Sequence, residues 1–411
     1  MLIVKKFGGT SVGSVEKIQN VARIGLDALN RGERCVIVVS AMAGETNRLV
    51  SMASQVGGDL NSRDYDMLLA TGEQVTCSLM ALALNSMRPN SAQAFLGFQA
   101  GIFTDTVHSK ARIQSINTAG IEQALSEGKI PVIAGFQGID PTNSITTLGR
   151  GGSDTSAVAL AAALNADDCE IYTDVEGVYS TDPRICKNAK KIDWISYEEM
   201  MELASLGAKV LQIRSVELAA KWKVPLHVRS TFNLVEGTRV VSIENLKNQL
   251  QEGMENPNVV GVAYDKGQTK FSLRFLPDDP GTLFRIFDGL SRAHIVVDVI
   301  VQNAISEGRV NVSFTVSQED TLKARDVLKE MVESWSDEIV LSDETGLAKV
   351  SIVGVGMRNH PGVATEMFKC LSKNGISVQL TSTSEIKISC LISQNDLETA
   401  VNVLHEGFGL G

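Results

Sequence analysis

The sequence predicts an α/β protein, with a mostly parallel sheet covered by helices over residues 1–245 and two small α+β modules after it. Three observations predict this. Continuous apolar runs such as "CVIVVSA" (35–41), "IPVIAGF" (130–136) and "CEIYTDV" (169–175) mark strands buried on both faces of a sheet. Helical stripes alternate with those runs, which makes parallel pairing with crossover helices the economical topology. Beyond residue 253 the pattern changes, and one stretch occurs twice.

The elements follow in order. A short strand ends in "KKFGGTSVGS" (5–14), and Val15, Ile18, Ala22, Leu26 and Leu29 then form a helical stripe that Gly32 stops. The run at 35–41 is the next strand, and "LLATGEQVTCSLMALAL" (68–84) is an apolar stretch with Glu73 near an expected helix start. After the strand at 130–136 come the helix "DTSAVALAAALNA" (154–166) and the strand at 169–175. "YEEMMELASLG" (197–207), "AKVLQIRSVELAAKW" (208–222) and "VPLHVRS" (224–230) complete the first part. The repeat pairs "PGTLFRIFDGLSRAHIVVDVIVQN", from Pro280, with "PGVATEMFKCLSKNGISVQLTSTS", from Pro361, at an offset of 81. Pro, Gly, Phe287/Phe368, Leu290/Leu371 and Ile295/Ile376 coincide, and each copy reads strand, Pro-Gly turn, helix, strand, strand, helix. The modules are expected at 265–341 and 342–411, with the strand 255–264 available to pair with the second.

Composition narrows the function. The chain of 411 residues is 44% hydrophobic and carries a formal net charge of -10, so no general attraction for nucleic acid or an anionic membrane is expected. No uninterrupted apolar stretch reaches spanning length, and the amino terminus lacks a signal-peptide pattern. Six scattered cysteines without CxxC read as reduced thiols, and five histidines without HExxH give no zinc motif. A cytoplasmic location is expected. GxxxxGK[ST], HRD, DFG and any Ser/His/Asp order are absent.

Four loops carry candidate chemistry. Gly8 and Gly9 would let backbone amides approach an anion, with Lys6 adding charge and the following helix its positive end; a plain strand-to-helix turn fits the same ten residues. In "TLGRGGSDTSAVA" (147–159), Gly151 and Gly152 precede a helix holding Ser153 and Asp154 in its first turn. Arg150 beside them suits a carboxylate through two parallel bonds. An N-cap by Ser153 or Asp154 would explain that turn, though not the arginine. "YTDVEGVYSTDPR" (172–184) offers Thr173, Asp174, Tyr179, Asp182 and Arg184, as would an ordinary Asp/Gly/Pro surface loop. Glu73 would bind a substrate ammonium, or simply favour a helix start.

Taken together, "KFGGTS", "SAM-GETN", "TGE", "GFQG", "TTLGRGGSDTSA", "YTDVEGVYSTDPR" and "GAKVL" stand in the order of the aspartate kinases, which the chain resembles over essentially its whole length. The resemblance implies an amino-acid-kinase-type α/β/α sandwich followed by two ACT (ferredoxin-like) modules. It implies phosphoryl transfer from MgATP to the β-carboxylate of L-aspartate, at the start of lysine, threonine and methionine biosynthesis. The reading stops after the second ACT copy, so the dehydrogenase part of bifunctional relatives is not expected. Lys6, Gly8, Gly9 and Asp154 would be catalytic. Arg150 and Glu73 would hold aspartate, with Thr46, Asn47, Gly151, Gly152 and Ser153 close by. Lys6, Phe7, Gly8, Gly9, Thr10, Ser40, Thr173, Asp174, Tyr179, Asp182, Arg184 and Lys209 would line the ATP side. Mg²⁺ would ride on the ATP phosphates with few direct protein ligands.

The resemblance also implies feedback by lysine, threonine or both at the ACT modules, and either a homo-oligomer or pairing with a shorter regulatory subunit. A first effector site would use Asp278, Gly281, Leu283, Val297, Asp298 and Gln302, with Asp278 taking an ammonium. A second would use Val363, Ala364, Ser377, Val378, Ser384 and Glu385. Two alternatives remain at this level: another amino-acid kinase, and a non-catalytic ACT regulatory protein.

Overall fold

The computed structural model describes residues 1–206, 210–233, 235–249, 259–305, 308–335 and 338–411. They divide into two units, Met1–Val178 with Lys191–Met254, and Tyr179–Lys190 with Glu255–Gly411.

The first unit runs β1 (Leu2–Phe7), α1 (Val15–Asn30), β2 (Arg34–Val39), α2 (Glu45–Val56), α3 (Arg63–Met87), β3 (Ala92–Phe95), β4 (Ile102–Thr104), β5 (Ile113–Ile116), α4 (Ala119–Ser126) and β6 (Ile130–Ala134). It continues with β7 (Gln137–Ile139), β8 (Ile145–Thr147), α5 (Gly152–Ala163), β9 (Asp168–Thr173), β10 (Trp194–Ser196), α6 (Tyr197–Ser205), α7 (Ile213–Trp222), β11 (Leu226–Ser230), β12 (Thr238–Val241) and α8 (Ile243–Gln249). Among the described residues the main sheet has the order β10-β12-β11-β9-β1-β2-β6-β3, and only β11 and β12 pair antiparallel. A second sheet, β5-β4-β7-β8, stands beside it. The apolar runs are its central strands because both faces are covered. Ile18 and Val21 of α1 and Cys77 and Met80 of α3 pack on the face holding Phe7, Ile37 and Ile130. On the other face α5 lies against β1, β2 and β9 and is backed by α7. Gly152 to Ala161 are all buried, as expected of a helix apolar all round.

One composition-based expectation changes. By length and composition α3 is apolar enough to cross a membrane. Half of that stretch is buried inside the unit, where Leu69, Ala70, Cys77, Met80 and Leu84 form core.

The second unit contains β13 (Gly261–Pro277), α9 (Gly281–Arg292), β14 (Val297–Ile305), β15 (Arg309–Ser317), α10 (Thr321–Trp335), β16 (Val340–Val353), α11 (Val363–Lys373), β17 (Leu380–Thr383), β18 (Lys387–Ser393) and α12 (Leu397–Gly407). Its sheet order is β14-β15-β13-β16-β18-β17. The long strands β13 and β16 are shared. Residues 268–277 of β13 pair with β15 and serve the first module, whereas Gly261–Asp265 pair with Lys349–Val353 and serve the second. The second module thus takes its fourth strand from ahead of the first, which is inserted into it. Gly267 (φ 68°) and Gly346 (φ 71°) sit where the register shifts, and this left-handed bulge conformation favours glycine. The expected module boundary at 341/342 therefore falls inside β16.

Tyr179–Lys190, read from sequence as part of the first domain, lies in the second unit. Ile185 packs against the core of Val350, Met367 and Leu404, and the Ser180 carbonyl accepts from Val262 N at 2.7 Å. The Ser180 hydroxyl stands 2.9 Å from Nε2 of buried His405.

Candidate active site

Strand alternation decides what Lys6 does. Lys5 and Phe7 face α1 and α3, so Lys6 projects to the α5 side. Its Nζ lies 2.6 Å from Oδ1 of Asp154 in the first turn of α5, both groups nearly buried. That oxygen faces the ammonium without an aligned hydrogen bond, so the pair is electrostatic and open to exchange.

The two glycines after β1 have different reasons. A Cβ on Gly9 would fall 2.9 Å from the Ala41 carbonyl oxygen, so only glycine allows the loops after β1 and β2 to approach this closely. The Gly8 N–H is donated to the Tyr172 carbonyl (3.2 Å), which corrects the expectation that it serves an anion. The helix expected to aim at this spot is also a different one. Ser14 caps α1, its side chain accepting from Lys17 N, and the helix N-termini lining the cavity are those of α2 and α5. Phe7 is core, stacked on Tyr172 with centroids 4.6 Å apart, and the Thr10 carbonyl accepts from Lys17 Nζ.

These loops enclose a cavity of about 400 Å³. Of the residues singled out from sequence, it gathers Lys6, Gly9, Ser40, Thr46, Asn47, Glu73, Arg150, Gly151, Gly152, Ser153 and Asp154. It adds Phe136, which stands in "GFQG" but was given no role, and Gln212, which no motif had marked.

Glu73 is not near a helix start. It lies mid-way along α3, which begins after the Ser62 cap, and neighbouring Gly72 lets the helix touch Ala41 (2.9 Å from a built Cβ). Glu73 Oε1 accepts from Ala41 N at 2.9 Å, while buried Oε2 has no hydrogen-bond partner among the described residues. Burial pushes the carboxyl up to about 7, opposed by the Ala41 bond and by Lys6. A buried carboxylate oxygen left open toward a cavity is suited to a cationic ligand group.

The arginine loop is shaped by glycine and not by a side-chain cap. Gly151 takes the N-cap of α5 at φ 71°, and neither Ser153 nor Asp154 caps. Arg150 is exposed at the cavity rim, and no ion pair is recorded for it among the described residues. The capping explanation therefore fails, and the arginine stands open for an anion.

The remaining candidates lie elsewhere. Thr173, at the end of β9, accepts from Val175 N, and Asp174 beside it is exposed; neither lines the cavity. Tyr179, Asp182 and Arg184 belong to the second unit. There Arg184 holds the Asp182 carboxyl down to about 2, and Tyr264 donates to it at 2.8 Å. Lys209 lies outside the described residues. Away from the cavity, Asp168, Glu170 and His227 cluster within 4.8 Å. Their carboxylates are already neutralised by Lys5, Arg229 (3.1 Å) and Arg239 (2.8 Å), which disfavours a bound cation.

Residues 1–230 match the amino acid kinase family, and residues 350–408 match the ACT domain. The chain is 48% identical to an aspartokinase of Pseudomonas aeruginosa, over 100% of this chain and 98% of that one. It belongs to the aspartokinases. Aspartokinase 2 of Bacillus subtilis is 47% identical over 100% of this chain and 98% of its own length. Among solved structures, E. coli aspartokinase III in complex with aspartate and ADP matches with a TM-score of 0.79 at 28% identity, covering 99% of both chains.

In this aspartokinase chain a second cavity, of about 440 Å³, lies in the second unit. Val363, Ala364, Ser384 and Glu385 line it, whereas Ser377 and Val378 do not. In the first module Asp278 stands before α9, with Gly281 and Leu283 in its first turn and Val297, Asp298 and Gln302 on β14. Two of these are already engaged. The Asp298 carboxylate is held by Lys349 of the second module, and the Gly281 N–H is donated to Asp279 (3.3 Å). Asp278 is exposed, its N–H given to the Gly308 carbonyl.

Proposed function

We propose that the chain transfers the γ-phosphoryl group of ATP to the β-carboxylate of L-aspartate, giving 4-phospho-L-aspartate and ADP, the entry step to lysine, threonine and methionine biosynthesis. The observation that carries this is charge placement within one cavity. An open Glu73 oxygen, an Arg150 with no ion pair among the described residues and the Lys6–Asp154 pair offer sites for an ammonium, a carboxylate and a phosphoryl group.

The nucleophile needs no base. An aspartate side chain has a pKa of about 3.9 and is ionised at neutral pH. A carboxylate oxygen bonds to the γ-phosphorus while the bond to the bridging oxygen of ADP breaks. The protein supplies positioning and charge. Lys6 moves from Asp154 toward the phosphoryl oxygens as charge spreads over them. The first-turn amides of α5 and α2 point their positive ends at the same region. Ser40, Thr46 and Asn47 add polar contacts, and Thr173 and Asp174 are assigned to the ATP side on the motif alone. Mg²⁺ fits as a cation brought by the nucleotide, since among the described residues the cavity holds only two carboxylates, Asp154 paired with Lys6 and Glu73 beside Ala41. When bound it neutralises phosphate charge. An ADP-release assay offering aspartate, glutamate or no acceptor tests the reading. Turnover with glutamate alone would transfer the site to another amino-acid kinase.

Glu73 makes the binding of aspartate pH-dependent. Only the ionised form attracts an ammonium, so kcat/KM for aspartate should fall about tenfold per unit as pH drops below 7. Glu73→Gln should lower kcat/KM and flatten that slope between about pH 6 and pH 8. A slope that survives the substitution would assign the titration to another group.

The second unit is proposed to bind free lysine or threonine, in line with the lysine complex of E. coli aspartokinase III. Asp278→Ala should relieve inhibition by these amino acids and leave uninhibited kcat unchanged, because a distant effector acts only through differential affinity for two states. Unchanged inhibition curves would move the site to the cavity at Ser384.

A further inference from the structure

Arg150 owes its position in part to two charged groups that do not line the cavity, Asp66 and Arg214. It occupies the apex of a turn in which Gly152 N donates to the Gly149 carbonyl at 2.9 Å. The strand entering that turn is pinned from one side by Asp66 of α3, which accepts from Thr147 N (3.0 Å) and from the Thr147 hydroxyl (2.5 Å). From the other side comes Arg214, in the first turn of α7. Its Nη1 donates to the Leu148 carbonyl and its Nη2 to the Ala111 carbonyl, each at 2.7 Å. Leu148 and Ala111 are buried, and Ala111 N donates to the Thr147 carbonyl at 2.9 Å. Beyond the apex, Gly151 lies against Gln212, whose Cγ is 1.9 Å from where a Cβ would be. Both flanks of the Arg150 turn are therefore fixed, and α7 fixes one of them through a planar fork joining two segments.

We infer that Arg214 is a positioning residue for aspartate binding: its fork on the Leu148 and Ala111 carbonyls holds the turn that aims Arg150. The inference rests on the reading of Arg150 as the group that holds the substrate carboxylate. A guanidinium is required because two carbonyls must be met at once by separate donors in one plane. An ammonium at the end of a lysine stem can serve one of them well. The effect falls mainly on aspartate, since the fork holds the strand side of the turn, whereas the start of α5 is held beyond the apex by its own helix bonds, beginning with Thr155 N to the Gly151 carbonyl at 3.1 Å.

The test compares Arg214→Lys, Arg214→Met, Arg150→Ala and Arg150→Ala/Arg214→Met in the full chain, with KM measured separately for aspartate and ATP. The expected result is a rise of about tenfold or more in aspartate KM for Arg214→Met, a smaller rise for Arg214→Lys, and ATP KM within about twofold of the parent. In the Arg150→Ala background, Arg214→Met should add less than about twofold, because residues acting through one contact are not additive. A similar loss for both substrates, or a full additional loss in the double variant, would overturn the inference and make Arg214 a general support of the fold. Should Arg214→Met not fold, Arg214→Lys keeps the stem and charge and decides by the same split. If Arg150→Ala leaves aspartate KM unchanged, the reading of Arg150 fails and takes the inference with it. If Arg150→Ala raises it and neither Arg214 variant does, the inference alone fails.

Discussion

Lys6→Ala is expected to lower kcat by about a hundredfold or more, since removing a group aimed at developing transition-state charge has that order of effect. The structure adds a second consequence. Asp154 is 7% exposed, and its Oδ1 has Lys6 Nζ as its counter-charge at 2.6 Å. Without Lys6 a nearly buried carboxylate is left unpaired beside the cavity, at a cost of roughly 1–3 kcal/mol. Thermal unfolding of Lys6→Ala should therefore begin lower than that of the parent. Lys6→Ala/Asp154→Asn removes the stranded charge and should recover most of the stability but none of the rate. A single variant with near-normal kcat would take Lys6 out of the mechanism. Recovery of both properties in the double variant would mean that Lys6 serves only to neutralise Asp154.

Arg150→Ala should raise the aspartate KM by roughly tenfold to a hundredfold, the equivalent of a charge-assisted bond to a carboxylate. Little stability should be lost, because Arg150 is exposed and makes no recorded ion pair among the described residues. The ATP KM should hold. The two arms distinguish substrate contact from loop disorder, since disorder of the turn would also disturb Gly152 and Ser153 at the start of α5 and with them phosphoryl transfer. A defect confined to ATP would place Arg150 on the other substrate.

Much of the site was legible because its residues sit in compact motifs whose chemistry is local. Lys6, Arg150 and Asp154 were found from glycine-flanked strand ends and a helix start, and Thr46 and Asn47 from "GETN". Glu73 was singled out among residues that do line the cavity, but in the wrong setting. "TGE" resembles a helix beginning, whereas Gly72 is there for the close approach of α3 to Ala41. Phe136 stood in "GFQG" without an assigned role, and Gln212 carried no signal, since a residue that enters a cavity by packing needs no special neighbours in sequence. Tyr179, Asp182 and Arg184 lay in a stretch rich in suitable groups. Composition could not reveal that Arg184 and Tyr264 already satisfy the Asp182 carboxylate.

The sequence by itself determined the buried strands, the helices between them, the repeat and the charged residues at strand ends. These follow from periodicity and from backbone conformations that few residues adopt. Tertiary structure decided everything that depends on which distant segments meet. Gly8 spends its amide on Tyr172, Asp298 is met by Lys349, and Arg214 joins carbonyls at positions 111 and 148. It also decided that one module is inserted in the other, with Gly261–Asp265 completing the sheet of a module whose next paired segment begins 82 residues later, at Leu347 within β16. Strand pairing is chosen by the burial of whole faces and by two glycine bulges, and neither is a property of any single stretch of chain.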